Sequence, residues 1–442
     1  MKFIPLTLIS ILFFVFPIPG TNALRYLLAI TLLVFAIFNL YSEGLDKLRE
    51  ILASPYLRNF FLILSFLTVY IILHSIFISH EIYWSLKEFK GHWINPLLFL
   101  FLGIFLAMIA KKEVFFTPRS LITSIFFGMF LNIIYLDFEA LKVLFTSGYL
   151  ISREGGLTGS PVLLSYLTNI LLAFVLAELV SRNTTQVRTL QVSNFWLFII
   201  LFLLLFSIPI EGMRNGSVGL FLSILVASYF YLYKEKSKAK VIFITLTTTI
   251  IFSLPLIHSL HFDKRWSSFF ETIPIALDTE TNKYWQDEKY ELPRLSNGQP
   301  VSVSNYQRIA WASKGVDYIL DDPIGIGFGR NAFGHAIQLN DGIEIARGYH
   351  SHSSIIDLTI GLGIAGLILW LVLIYYLLTL FFKSFIDSSN FYALSGFLIT
   401  SGFFVRSFVD SNMRDHMFQQ FFILLGVFIC LSTYKLLKKN ET

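Results

Sequence analysis

Apolar runs of about 20 residues recur along most of this chain, each long enough to cross ~30 Å of hydrocarbon as a helix. A bilayer core offers no water to unpaired backbone N–H and C=O groups, so a spanning chain must form helices or a closed barrel. The runs lack the strict apolar–polar alternation of a membrane barrel strand. The fold class they specify is an all-α polytopic membrane protein. Composition agrees: 55% of the 442 residues are hydrophobic and only 14% are charged, with a mean hydropathy of +0.67. That balance excludes an ordinary soluble domain.

Spans are expected near residues 3–19, 24–42, 57–79, 94–110, 118–136, 161–181, 193–210, 214–233, 239–258, 353–382, 389–407 and 418–437, about twelve helices in all. The first run follows a lysine and ends in small residues, as a signal peptide would. Another run comes almost at once, so it reads as an uncleaved first helix. The pair of spans around Glu211 is joined by a very short turn, "IPIEGMRNG". The single cysteine, Cys430, lies inside the last apolar run and can form no internal disulfide.

Orientation follows from Lys and Arg in the short loops. The two tails with "EGLDKLRE", "KKEVFFTPR", "SRNTTQVR", "YKEKSKAK" and "FFKSF" hold about half of the 34 basic residues, and the opposite short loops far fewer. Both termini are therefore expected in the cytoplasm. The long segment 259–352 then faces outward as a loop domain carrying the candidate catalytic residues. Helices 1–9 fill 1–258, and the last three helices with a short tail fill 353–442. Within the outer segment, "TNKYWQDEKYELPRLSNGQP" reads as a mobile surface loop, whereas Tyr306 to Leu320 has helical spacing and ends before Pro323. The "GIGFG" turn that follows lacks the Lys-Ser/Thr of a phosphate-cradling loop. It reads as a tight turn that brings backbone close to another helix.

Ionisable groups at outer helix ends are the informative ones, because they are costly in membrane surroundings. His350 and His352 sit at the lip of the tenth run, "HSHSSIIDL". Imidazole there can accept a proton from a substrate, cap a helix or sit in the headgroup layer. Arg153 in "ISREGGLTGSP", Arg214 in "EGMRNGSVG" and Arg308 in "YQRIAW" share that outer face. Each alone could snorkel to lipid phosphate. Together with the histidines they describe a cationic pocket at membrane depth, suited to a lipid-linked pyrophosphate because the planar guanidinium fork matches phosphate oxygens. Arg214 also stands at a helix N-terminus, whose positive end favours an anion. Asp357, seven residues past His350, falls on roughly the same helical face; it reads as support for a histidine or a water, or as a packing residue. No Asp-x-Asp pair is present, and the two histidines lack further ligands at metal-binding spacing, so no metal or other cofactor is expected. No block of like charge suggests a nucleic-acid partner.

These residues resemble the O-antigen ligase family of bacterial inner membranes, which includes lipid A-core:surface polymer ligases and related polymerases. "HSSIIDLTIGLGIAG" fits its His–[Asn/Ser/Gln]–nine residues–Gly–two residues–Gly pattern through His352, Ser353, Gly363 and Gly366. "RIAWASKGVDYILDDPIGIGFGRNAF" is similar to its Arg…Trp…Pro-x-Gly-x-Gly segment, "MRNG" to its Arg-x-Gly helix start, and "REGGLTGSP" to its Arg-x-x-Gly…Pro stretch. Ser353 and Ser160 stand where the family more often has Asn. The resemblance covers the second half well and the first half as topology alone. It implies transfer of a glycan from undecaprenyl pyrophosphate to an acceptor hydroxyl, on lipid A-core or another glycan, at the periplasmic face without metal or nucleotide. His352 would be the general base, with Arg214 and Arg308 holding the pyrophosphate and Arg153 in support; His350 is the lesser partner.

Three rivals stand beside the ligase. A polymerase of the same superfamily often carries Arg, ten residues and Gly, which no outer arginine here does. Protein-directed oligosaccharyltransferases tend to add a domain after the last span. A lipid-linked sugar transporter would show internal repeats and charges near the bilayer midplane, whereas these charges gather at one face. Gly361, Gly363 and Gly366 are expected to permit close helix contact.

Overall fold

The computed structural model describes residues 3–42, 54–110, 116–234, 242, 257, 268–344 and 348–440. Among these the chain is helical throughout, with one isolated bridge between Arg294 and Pro300 and no strand. Every expected span except 239–258, which but for residues 242 and 257 lies outside the described residues, coincides with a helix. Among the described residues, eight helices are long and apolar enough to cross a membrane: Asn22–Tyr41, Pro55–Phe77, Ile82–Ala110, Pro118–Ser147, Pro161–Thr185, Asn194–Glu211, Ser354–Ser388 and Asp415–Thr433. Three shorter apolar helices, Ile4–Val15, Phe221–Tyr233 and Phe391–Arg406, join them.

The helices are α1 (Ile4–Val15), α2 (Asn22–Ser42), α3 (Pro55–Phe77), α4 (Ile82–Phe89), α5 (Asn95–Ala110), α6 (Pro118–Ser147), α7 (Pro161–Thr185), α8 (Asn194–Glu211) and α9 (Arg214–Lys234). After them come α10 (Phe269–Leu277), α11 (Val303–Asp321), α12 (Ala332–Asp341), α13 (Ser354–Ser388), α14 (Phe391–Arg406) and α15 (Asp415–Asn440). A π-turn at Lys90–Ile94 fuses α4 to α5, so that span starts earlier than its hydropathy indicates.

Small residues set the closest helix contacts. A Cβ on Gly103 of α5 would collide with the Ile423 carbonyl of α15, and one on Gly426 of α15 with the Leu100 carbonyl of α5. Lipid tails are as apolar as Leu, so close backbone approach and dispersion hold such a pair. The N-terminal helix α1 belongs to the same core: Ile9, Leu12 and Phe13 are buried, and Asn132 of α6 donates to the Phe14 carbonyl at 3.0 Å.

The segment between α9 and α13 builds a second, smaller core around Trp285, Tyr306, Trp311 and Phe333. The stretch expected to be a mobile surface loop is anchored there. Trp285 is buried and donates its indole N–H to the Thr279 carbonyl at 3.0 Å, while the Trp311 indole donates to the Trp285 carbonyl at 2.9 Å. Its polar composition concealed one aromatic anchor, and a single buried tryptophan removes ~150–250 Å² from water.

Helix α11 ends where Asp321–Pro323 indicates. The Asp322 side chain accepts from the Ile324 and Gly325 amides at 3.3 and 3.2 Å. The glycine turn that follows docks into a break in α13. Gly363 has φ 70° and ψ −178° there, and the amides of Ile326 and Gly327 donate to the Ile360 and Gly361 carbonyls at 3.0 and 2.9 Å. The Ile364 amide returns a bond to the Pro323 carbonyl at 3.0 Å. Gly361 and Gly363 therefore admit a turn rather than a neighbouring helix, which corrects the expected packing role. The interrupted ladder of α13 finds its partners in that turn.

Candidate active site

Helix α11 presents Asn305, Arg308 and Trp311 at successive three-residue steps, which makes them neighbours on one face. The Arg214 guanidinium, at the start of α9, donates to the Asn305 side-chain oxygen at 2.6 Å. Arg214 thus reaches α11 one turn before Arg308. Arg153 lies against the turn that precedes Arg214. Its backbone and Cγ border Gly212, and the Glu154 amide donates to the Ile210 carbonyl at 3.1 Å. Gly212 needs its left-handed φ of 58° to close α8, and Arg153 takes φ 62° to pass beside it. Arg153 is exposed, whereas Arg214 and Arg308 are half-buried.

The two histidines occupy a short loop before α13. His352 stacks on the Trp311 indole, with ring centres 5.4 Å apart and planes 16° from parallel. It holds a left-handed backbone with φ 55°, which histidine tolerates better than most residues. Its amide donates to His350 Nδ1 at 3.2 Å, and the two rings meet edge to face at 4.3 Å. On the other side, His350 Nδ1 lies 2.9 Å from the Ser411 hydroxyl, which is 3.4 Å from an Asp357 carboxylate oxygen. The other Asp357 oxygen accepts from the Ser351 amide at 3.2 Å. His350 precedes the helix, so it does not share a helical face with Asp357; Ser411, from the α14–α15 connection, joins them instead.

That connection clamps the loop. The first amides of α13 have no partner within their own helix. Ser354 N donates to the Asp410 carbonyl at 3.1 Å and Ile355 N to the Ser407 carbonyl at 3.2 Å. Ser353 caps the helix by accepting from Ile356 N at 3.4 Å, and its hydroxyl donates to the Ser407 carbonyl at 3.2 Å. The Met413 amide donates to the Ser354 hydroxyl at 2.9 Å.

Burial, then the charge of Arg308, pushes the His352 imidazole down to about 4. Burial, then Arg414, His352 and Arg308, pushes His350 down further, to about 2. Both rings are neutral at pH 7, and His352 is the more basic of the two. Neutral imidazole beside fixed guanidinium groups can take a proton while the cations hold an anion. Asp357 and Ser411 also line a small cavity that reaches Arg414. Among the described residues, no group of three or more His, Cys, Asp and Glu side chains is placed to hold a metal ion.

Arg214, Arg308, His350 and His352 thus come together through α11, with Arg153 one turn away and Asp357 behind His350. Asn305, Ser411 and Arg414 are additions to that set. Arg414 carried the signal used for the other arginines, a charge at an outer helix end, in "DSNMRDH". Asn305 and Ser411 carried none, because an uncharged polar residue in a polar loop has no distinguishing pattern.

The family model described as O-Antigen ligase matches residues 199–371. The match takes in Arg214, Arg308, both histidines, Asp357 and the glycines of the α13 break, and leaves Arg153, Ser411 and Arg414 outside it. No curated protein matches the chain. Over residues 199–371, then, this helical multi-pass membrane protein is similar to the O-antigen ligase family.

Proposed function

We propose that this protein is a membrane glycosyltransferase of the ligase type, moving a glycan from undecaprenyl pyrophosphate to an acceptor hydroxyl, with lipid A-core the acceptor. His352 accepts the hydroxyl proton as the acceptor oxygen bonds to the anomeric carbon. The bond from that carbon to the phosphate oxygen breaks, and its electron pair leaves with the diphosphate. Arg214 and Arg308 meet the charge that develops there, supported by Arg153. Attack opposite the leaving group inverts the anomeric centre. His350 and Asp357 hold the loop that carries the base. In this reading the chain lies in the bacterial inner membrane with both termini in the cytoplasm, and segment 259–352 faces the periplasm.

The observation that carries the proposal is the His352 ring stacked on Trp311, one helical turn from Arg308, with Arg214 held on the same helix by Asn305. A neutral base and two cations are then gathered along one helix. The general base typically contributes 10²–10⁴-fold, and charge stabilisation is usually the larger contribution.

The test is transfer by purified protein in detergent, with lipid A-core as sole acceptor and no metal or nucleotide added. Attachment of glycan to lipid A-core, lost in His352→Ala, is expected. Chain growth on the lipid carrier without attachment would make the protein a polymerase. Absence of any covalent product, alongside vesicle-to-vesicle movement of the donor, would make it a transporter.

A further inference from the structure

The second half of α11 is divided three ways. Trp311, Gly315 and Tyr318 follow one another at four- and three-residue steps and are buried against the rest of the protein. A Cβ on Gly315 would collide with the Ile356 side chain of α13. Lys314, Asp317 and Asp321 share a second, charged face, where Lys314 pairs with Glu280 at 2.7 Å and with Asp317 at 3.7 Å. The third face is apolar and open: Val316 is 50% and Leu320 72% exposed, and Ile324, just past the helix, is 60% exposed. Apolar side chains scattered singly over a surface are ordinary. These three are not scattered. The Ile364 amide bonds to the Pro323 carbonyl, which seats Ile324 beside the face of α13 that exposes Ile364, Ile368, Val372 and Tyr375. The His80 amide donates to the Ile326 carbonyl at 2.9 Å and His80 Nε2 lies 3.3 Å from Asp322, which brings in the end of α3 with its exposed Phe77 and Ile78. Both α3 and α13 are long and apolar enough to cross a membrane, so their exposed apolar faces meet lipid.

We propose that lipid covers this strip too: the leaflet on that side of the membrane extends over Val316, Leu320 and Ile324, and seats α11 at the boundary of acyl chains and headgroups instead of in open water. The bilayer is the occupant because the strip adjoins two helix faces that already meet it. An apolar ridge beside a charged one is also the pattern of a helix held at a membrane interface. Lys314, Asp317 and Asp321 then face water, and Trp311, Gly315 and Tyr318 face protein. Arg308 stands eight residues before Val316, ~12 Å along the helix. A lipid-anchored anion therefore comes to Arg308 by moving along the membrane surface, without leaving it. The assignment goes beyond the transfer reading and does not require it.

The experiment attaches a nitroxide label to the full chain in nanodiscs of phosphatidylethanolamine and phosphatidylglycerol, through Val316→Cys, Leu320→Cys, Ile324→Cys, Asp317→Cys and Asp321→Cys in turn. Cys430, the single native cysteine, is buried, so the parent protein serves as the unlabelled blank. Molecular oxygen concentrates among acyl chains and a nickel chelate stays in water, so the collision rates of each label with the two reagents report its surroundings. Ile368→Cys on α13 sets the lipid value. Labels at Val316, Leu320 and Ile324 are expected to collide several-fold more with oxygen than with nickel, as the α13 label does. Labels at Asp317 and Asp321 are expected to show the reverse. If Ile324→Cys disturbs the glycine turn, Leu320→Cys, one turn away on the helix, still decides. Nickel reaching the Leu320 label as freely as the Asp321 label would overturn the proposal, because water then covers the strip. So would weak collision with both reagents, which assigns the cover to protein, either another segment of this chain or a second copy. None of these outcomes needs turnover. An active His352→Ala would remove the transfer reading and leave the lipid contact standing, whereas a water-exposed strip would remove the lipid contact alone.

Discussion

The amide of His352 donates to Nδ1 of His350 at 3.2 Å, so one histidine spends its inward lone pair on holding the other in place. A backbone N–H can only donate, which leaves the proton of a neutral His350 ring on Nε2. His350 is then a positioning group and His352 the group with a free role. The difference is testable because asparagine, whose side-chain oxygen also accepts a backbone bond, can replace one function and not the other. His352→Ala should lower the transfer rate by ~10²–10⁴-fold. His350→Asn should lower it by only about tenfold, since misplacing the base slightly costs less than removing it. Rates of attachment to lipid A-core at saturating donor measure both. Equal losses in the two variants would place His350 in the chemistry.

The depressed basicity of both rings has a sign that can be checked in two ways. His352 stays unprotonated until pH approaches about 4, so kcat/KM should hold through pH 6 and decline only well below it, not at 6.5. Stability moves the other way from activity's plateau. Below pH 6.5 the unfolded chain binds protons that the folded histidines refuse, so stability falls as pH drops. The loss attributable to His352 is complete near pH 4, and that of His350 continues to about 2. Thermal unfolding in detergent at pH 7, 6 and 5 should show a falling midpoint. The fall should be shallower in His350→Asn, which has no imidazole to charge.

The fold was legible in the sequence wherever length and hydropathy decide the outcome. The span from Ser354, for example, was placed within a residue of its observed start, because a bilayer leaves an apolar run of that length no other option. The site was legible where charge is expensive: Arg214, Arg308 and His352 stood out because ionisable groups at helix ends need a reason. The break at Gly363 was not legible. Its cause is a hydrogen-bond exchange with Pro323–Gly327, forty residues earlier in the chain, and three glycines in an apolar run suggest helix packing just as well. Ser411 was invisible for a similar reason. Its value lies in standing between His350 and Asp357, a relationship that only the folded chain creates.

Asn305 offers a way to separate charge from geometry at the diphosphate side. Arg214→Lys keeps the charge but loses the planar fork that could bond both Asn305 and a phosphate oxygen. Its kcat/KM for the polyprenyl diphosphate donor should fall by about 10–100-fold, the span expected for one or two charge-assisted bonds. Asn305→Ala leaves the guanidinium intact but untethered, so KM for the donor should rise by a few fold, about the cost of one ordinary hydrogen bond. A Lys variant with wild-type donor kinetics would mean that Arg214 acts as a point charge or not at all.

The docking of the glycine turn into α13 fixes the distance between the arginine helix and the histidine loop, so damage there should reach the site without touching it. Gly363 has φ 70°, and a Cβ at that position would collide with the Ile324 carbonyl. Gly363→Ala therefore combines a disfavoured backbone with overpacking, each worth ~1–3 kcal/mol. Its partner Gly325, with φ 94°, would meet the Gly363 amide in the same way. Since both variants disturb one contact, the double variant should cost clearly less than the two single costs added together. Unfolding midpoints of the three proteins in detergent measure that coupling. Strict additivity would show that the turn and the break are held by separate contacts, and that the α13 interruption does not depend on the turn it receives.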